Sequence, residues 1–132
     1  MIIIGESIHV ISPRVRAALE ARDAKPLQEQ AVRQVKNGAH VLDLNIGPQR
    51  KEGHEIMPWL VDNLQEVVDV PFCLDTTNVA ALEAGIKRCK HTPIINSTDA
   101  TEARMSTMIP LAVKYGAGLI ALALAESGLP NT

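Results

Sequence analysis

The sequence predicts an α/β fold built on a parallel sheet. Three observations carry that expectation: short apolar runs recur, stretches of helical period separate them, and the two kinds of segment alternate strictly. The runs are IIIG (Ile2 to Gly5), HVLDLN (His40 to Asn45), PFCLD (Pro71 to Asp75), PIIN (Pro93 to Asn96) and GLIALAL (Gly118 to Leu124). They are near-continuous in Ile, Val and Leu, the pattern of strands buried on both faces of a parallel sheet.

The helical stretches follow in order. The first spans Pro13 to about Ala39, with Ser12 as its cap and Pro13 at the first helical position, where the missing N–H costs nothing. It breaks near Arg22 to Pro26, because proline disfavours helical geometry in the residue before it. Met57, Leu60, Val61, Leu64 and Val68 form a second apolar stripe, Val79, Leu82, Ile86 and Cys89 a third, and Met105, Met108, Ile109, Ala112 and Val113 a fourth. Asp99 with Glu102 reads as a capping box at the start of the last. The helix-to-strand turns are NGAH, DVP, HTP and YGAG. Strict alternation implies right-handed crossovers, and two architectures fit: an open doubly wound sheet, or part of an eight-stranded barrel.

Composition narrows the function. The 132 residues are 46% hydrophobic and 21% charged, a balance that suits one globular unit, although Trp59, Phe72 and Tyr115 are its only aromatic residues. A net charge of -2 gives no basic field for phosphates, which argues against nucleic acid as a partner. Cys73 and Cys89 lack a CxxC spacing, MIIIGES is not a secretory start, and no run approaches the ~18 apolar residues of a membrane span. Reduced thiols, a cytoplasmic location and no membrane association are the expectations. After the first strand the chain reads GESIHVIS rather than G-x-G-x-x-G, and no phosphate-binding P-loop sequence occurs, which disfavours a dinucleotide or nucleotide triphosphate.

In both architectures the ligand site lies at the carboxyl ends of the strands. Those ends carry Glu6, Ser7 and His9; Asp43 and Asn45; Asp75, Thr76, Thr77 and Asn78; and Asn96, Ser97 and Thr98. Any one of them has a bland alternative, since Asp75 or Thr77 could cap the following helix and Asn96, Ser97 and Asp99 could make turns. Four successive strands ending this way favour a site, because Asp43 and Asn45 lie well before the next helix. His9, His40, His54 and His91 are too scattered for a zinc cluster, and no serine has a base at triad spacing. What remains is a rim of carboxylates and carboxamides without a strong cation. A carboxylate accepts two parallel N–H bonds and Asn offers both a donor and an acceptor, so a neutral planar ligand with an amide-like edge, a pterin or purine, fits better than a phosphate.

These residues also resemble a known family. IIIGESIH is similar to the GERxN segment of pterin-binding methyltransferases, LDLNIGP to their strand-two motif, LDTTN to the strand-three motif and INST to the strand-four motif. The nearest likeness is to methyltetrahydrofolate:corrinoid/iron-sulfur protein methyltransferases, their glycine-betaine-pathway relatives and the folate domain of cobalamin-dependent methionine synthase. Dihydropteroate synthase is more distant, with similar strand-end Asp and Asn residues, and a dihydropteroate synthase-like pterin enzyme is the alternative enzymatic reading. The resemblance runs from Ile2 to about Pro130 and implies one pterin-binding domain, residues 1-132, forming the amino-terminal five strands of a TIM (β/α)8 barrel. It further implies methyl transfer between N5 of methyltetrahydrofolate and the cobalt of a corrinoid carried by a partner protein, with no metal held by this chain. Asp75 and Asn96 would hydrogen-bond the pterin, with Glu6 near the same edge, Asp43 and Asn45 lining the pocket, and Asn78 and Ser97 behind them.

Two departures accompany the likeness. Gly5-Glu6-Ser7-Ile8-His9 has Ser for Arg and His for Asn, leaving His9 either a ligand contact near neutral pH or a structural residue. A full barrel needs about 250 residues, so the sequence ends after its fifth strand, before strands six to eight. The family's catalytic Asn near N5 belongs to strand seven. A truncated barrel of this kind is expected to show little methyl transfer alone. Its open edges favour a homodimer or another oligomer; otherwise it is a non-catalytic pterin-binding or assembly half-barrel.

Overall fold

The computed structural model describes residues 1–124 and 126–128. The likeness reaching to about Pro130 therefore extends beyond the described residues. The elements are β1 (Ile4–His9), α1 (Pro13–Ala21), α2 (Ala24–Lys36), β2 (Val41–Asn45), α3 (Gly53–Gln65), β3 (Phe72–Asp75), α4 (Val79–Ile86), β4 (Ile94–Thr98), α5 (Glu102–Tyr115) and β5 (Gly118–Ala121).

All strand pairs are parallel and the sheet order is β1-β2-β3-β4-β5. That order decides between the two architectures. A doubly wound sheet reverses its order at a switch point and covers both faces with helices, whereas a barrel adds each strand beside the last and keeps its helices outside. The fold is thus five successive βα-type strands of a partial TIM barrel.

Register sorts the two faces of the sheet. Ile8 pairs with Leu44, Leu44 with Leu74 and Leu74 with Ile95; all four are fully buried and belong to the core shared with the helices. Ile56, Met57, Leu60, Val61 and Leu64 of α3 and Ala81, Leu82 and Ile86 of α4 complete it. Each large aliphatic chain buried there contributes about 1.5–3 kcal/mol. Gly85 lets α3 and α4 close up, since a Cβ on it would stand 2.5 Å from Met57 Cγ. The opposite, inner face carries the polar residues.

The first helical region breaks where expected. Arg22 closes α1 in the left-handed region at φ 52°, and Asp23 caps α2 by accepting from the Lys25 N–H at 3.3 Å. Pro26 falls in the first turn of α2, where no backbone donor is needed. Ser12 does precede Pro13 at the helix start, but its side chain makes no capping bond.

Four local expectations are corrected. The first strand begins at Ile4 rather than Ile2 and runs on to His9, because its pairing with β2 shifts at a bulge between Gly5 and Ile8. Glu6 and Ser7 consequently sit within this strand, and Gln34 Oε1 satisfies the Ser7 N–H at 3.1 Å. β5 stops at Ala121, before Leu124. The cap of α5 is Thr101, accepting from the Arg104 N–H, while Asp99 accepts from the Thr101 N–H at 2.9 Å; there is no Asp99–Glu102 box. Finally, α5 buries Met108, Leu111 and Ala112, leaving Ile109 45% and Val113 76% exposed. Choosing Ile109 and Val113 rotated the apolar stripe away from the face that meets the sheet.

Candidate functional site

The inner face gathers the strand-end residues into one row. His9 pairs with Asn45, Asn45 with Asp75, and Asp75 with Asn96, so four residues from four strands stand side by side at the carboxyl end of the sheet. Partners in parallel register point to the same face, which brings these side chains to one rim. Asp43 lies two residues before Asn45 and therefore points the same way, one layer deeper, level with Cys73. It is mid-strand and 1% exposed, not at the strand end.

Hydrogen bonds lock this arrangement. Asn96 Nδ2 donates to Asp43 Oδ1 at 2.9 Å, which turns the Asn96 oxygen away from Asp43. Asn45 Oδ1 accepts from the Gly47 N–H at 2.9 Å, and its amide nitrogen stands 3.0 Å from His9 Nε2. The other His9 nitrogen accepts from the Ile11 N–H. The Asn45 side chain thus holds the loop that leaves β2, and the His9 ring the loop that leaves β1. Glu6 is exposed on the adjoining edge strand.

Two hollows flank Asp75. One of about 340 Å³ is lined by Asn45, Gly47, Pro48, Asp75, Thr76 and Thr77. The other, about 190 Å³, lies among Asp75, Thr76, Asn96, Ser97, Asp99 and Arg104. A separate cavity of about 350 Å³ opens between β1, α1 and α2, touching Glu6 and His9 but neither Asp75 nor Asn96. The strand-end hollows match the chemistry, because the row of hydrogen-bonding groups converges there and not at the β1 edge.

Three residues gain a role that the sequence reading did not assign. Thr76 is buried and donates to the Gly47 carbonyl at 2.6 Å while accepting from the Asn78 N–H, tying the loops after β2 and β3 together. Replacing Thr76 by Val should destabilise the fold by about 1–3 kcal/mol, because it strands a carbonyl and an N–H in one step. Urea unfolding measures this, and an unchanged midpoint would show the tie to be dispensable. Asn78, proposed behind the pocket, spends its side chain as the cap of α4, accepting from the Ala81 N–H and donating to the Gln49 carbonyl. Arg104 corrects the expectation of a rim without a strong cation: its guanidinium donates to the Ser97 carbonyl at 3.0 Å and lines the smaller hollow. Ser97 lines that hollow as well.

The electrostatics are acidic at depth. Burial, then the neighbouring Asp75, push the Asp43 carboxyl up to about 8, with Glu6 adding to the rise and Asn96 opposing it. Burial and the same three carboxylates push the Cys73 thiol up to about 12, so it is no nucleophile at neutral pH. Cys73 and Cys89 are both free cysteines. At the rim, hydrogen bonds from Thr101 hold Asp99 below its ordinary value. Among the described residues no group of three or more His, Cys, Asp or Glu is placed to hold a metal ion, and no helix is long and apolar enough to cross a membrane.

Comparison with known proteins gives a family and several relatives. The model of a family described as pterin binding enzyme matches residues 13–131. The whole chain aligns at 31% identity over 134 residues with a methylcorrinoid:tetrahydrofolate methyltransferase of Eubacterium limosum, covering 49% of it. It aligns at 30% over 138 residues with the methionine synthases of Mycobacterium leprae and Mycobacterium tuberculosis, covering 11% and 12% of them. The chain therefore spans about half the length of the first relative and about a tenth of the other two.

Proposed function

Since the chain belongs to the pterin-binding enzyme family, we propose that its strand ends hold the pterin edge of methyltetrahydrofolate for methyl transfer between N5 and the corrinoid of a partner protein. The observation that carries this reading is the row Asn45–Asp75–Asn96 with Asp43 beneath it. Asp75 offers a carboxylate oxygen to an N–H group of the ring. Asn96, with its nitrogen committed to Asp43, offers its oxygen beside them. Glu6 stands at the neighbouring edge, Asn45 and His9 wall the pocket, and Ser97 of β4 and Asn78 at the start of α4 support it.

The donor and acceptor set suits a pterin, whose amide-like edge presents paired N–H groups to acceptors in one plane. Residues 1-132 form the pterin-binding domain on this reading. The corrinoid, carried by a separate protein, supplies the cobalt that gives or takes the methyl group. The protein's own task is to orient the ring so that N5 faces the open rim, and to keep its edge out of water, where the same hydrogen bonds are weaker. The group that eases proton transfer at N5 is proposed to come from strand seven of a whole barrel.

Isothermal titration of the 132-residue chain with methyltetrahydrofolate tests the reading. Saturable heat that disappears when Asp75 is replaced supports it; no saturable heat would sink the assignment of these residues to a pterin.

A further inference from the structure

We infer that Asp43 stands in the folded protein as a neutral carboxylic acid sharing its proton with the Asp75 carboxylate, so that the pair carries a single negative charge. Asp43 is 1% exposed; its Oδ1 accepts from Asn96, and its Oδ2 has no donor around it among the described residues. An ionised carboxylate would leave that buried oxygen without a hydrogen bond. Asp75 stands on the adjacent strand and the same face, two residues beyond the register partner of Asp43, and only a proton between the two carboxyl groups makes a bond of their approach.

The surroundings point the same way. The ionisable groups facing Asp43 are Glu6 from β1 and Cys73 and Asp75 from β3, while β4 contributes the neutral Asn96. All are acidic or neutral. Arg104, the nearby cation, is bonded to the Ser97 and Thr77 carbonyls instead. Two or three like charges in one dry corner repel, and a single proton relieves the repulsion. Placed on Oδ2, it also completes a chain in which Asn96 donates to Asp43 and Asp43 donates to Asp75. Burial and Asp75 hold the titration of Asp43 near 8, so the proton stays at neutral pH.

Asp43 thereby becomes a specificity residue, a consequence that rests on the pterin reading above. With one charge in the pair, the rim presents the remaining Asp75 oxygen and the Asn96 oxygen as two acceptors to two N–H donors of a neutral heterocycle. A doubly ionised pair would select a cationic edge.

Infrared difference spectra of the unliganded 132-residue chain test the proton directly. The wild type should show the C=O band of a protonated carboxylic acid at neutral pH, lost on raising the pH through about 8 and missing in Asp43→Asn. The wild-type titration alone suffices if the variant does not fold, and absence of the band at neutral pH overturns the inference. Calorimetry with methyltetrahydrofolate tests the consequence. Asp43→Asn, which keeps both hydrogen bonds, should bind within about threefold of wild type near pH 7, where Asp43→Ala loses about tenfold or more. Wild-type affinity should fall about tenfold per pH unit above the titration of Asp43, with Asp43→Asn flat. A flat wild-type profile with binding intact refutes the specificity role. The band without saturable binding keeps the shared proton and refutes the pterin reading instead.

Discussion

Replacing Asp75 by Ala is expected to weaken methyltetrahydrofolate binding by about 2 kcal/mol or more, roughly thirtyfold in Kd. Asp75 is the centre of the row, paired in register with Asn45 on one side and Asn96 on the other, and it borders both strand-end hollows. Its bond to a ligand N–H group is charge-assisted, worth about 1.5–3 kcal/mol. Truncation also removes the group toward which the Asp43 proton points, so the remaining site loses order as well as an acceptor. Asp75→Asn separates the two effects: it keeps the size and one acceptor, and should lose affinity chiefly through the missing charge. Calorimetry beside urea unfolding distinguishes a lost ligand contact from a damaged fold. An unchanged titration would return Asp75 to a turn-forming role, yet the capping role is already filled, because Asn78 is the residue that caps α4.

The sequence made the rim legible because polar residues at the ends of apolar runs are conspicuous: Asn45 and Asp75 stand where their strands stop, and Asn96 ends the apolar run of β4, two residues before that strand closes at Thr98. It did not reveal that Asp43 is buried mid-strand, since inward and outward residues of a strand buried on both faces look alike until register fixes which faces which. Arg104 went unnoticed for a different reason. It belongs to the first turn of α5 and reaches the site through backbone carbonyls, which leave no trace in side-chain spacing. The strand-one boundary failed at the bulge, where Gly5 leaves room for Gln34 against the chain, a tertiary contact across 29 residues of sequence between Gly5 and Gln34. In α5, Leu111 replaced Ile109 and Val113 because several apolar residues surround the helix and only packing against β4 and β5 selects a face.

Stability should fall as pH rises from about 4 to about 8, with Asp43 as the main cause. An aspartate in the unfolded chain ionises near about 3.9, whereas in the folded protein burial and Asp75 push Asp43 up to about 8. Between those values the folded state keeps a proton that the unfolded state has released, so each pH unit removes up to about 1.4 kcal/mol of stability. The loss from Asp43 levels off above about 8, where both states are ionised. Glu83 and Asp99 are shifted downward and act with the opposite sign, but their stabilisation is lost only as pH drops through the ordinary carboxylate range. The thiols of buried Cys73 and half-buried Cys89, pushed up to about 12, oppose folding only above the pH at which a free cysteine ionises. The neutral window thus isolates Asp43. Asp43→Asn should flatten the profile there and unfold at higher urea than wild type near pH 7.5, by a few kcal/mol, because the amide accepts from Asn96 and donates to Asp75 without needing a proton. Parallel profiles for the two proteins would mean that Asp43 ionises in the folded state as it does in the unfolded chain. A stabilised variant would show that this sheet retains a destabilising acid where an amide of the same shape would fit, the pattern of a residue kept for its proton and its ligand rather than for the fold.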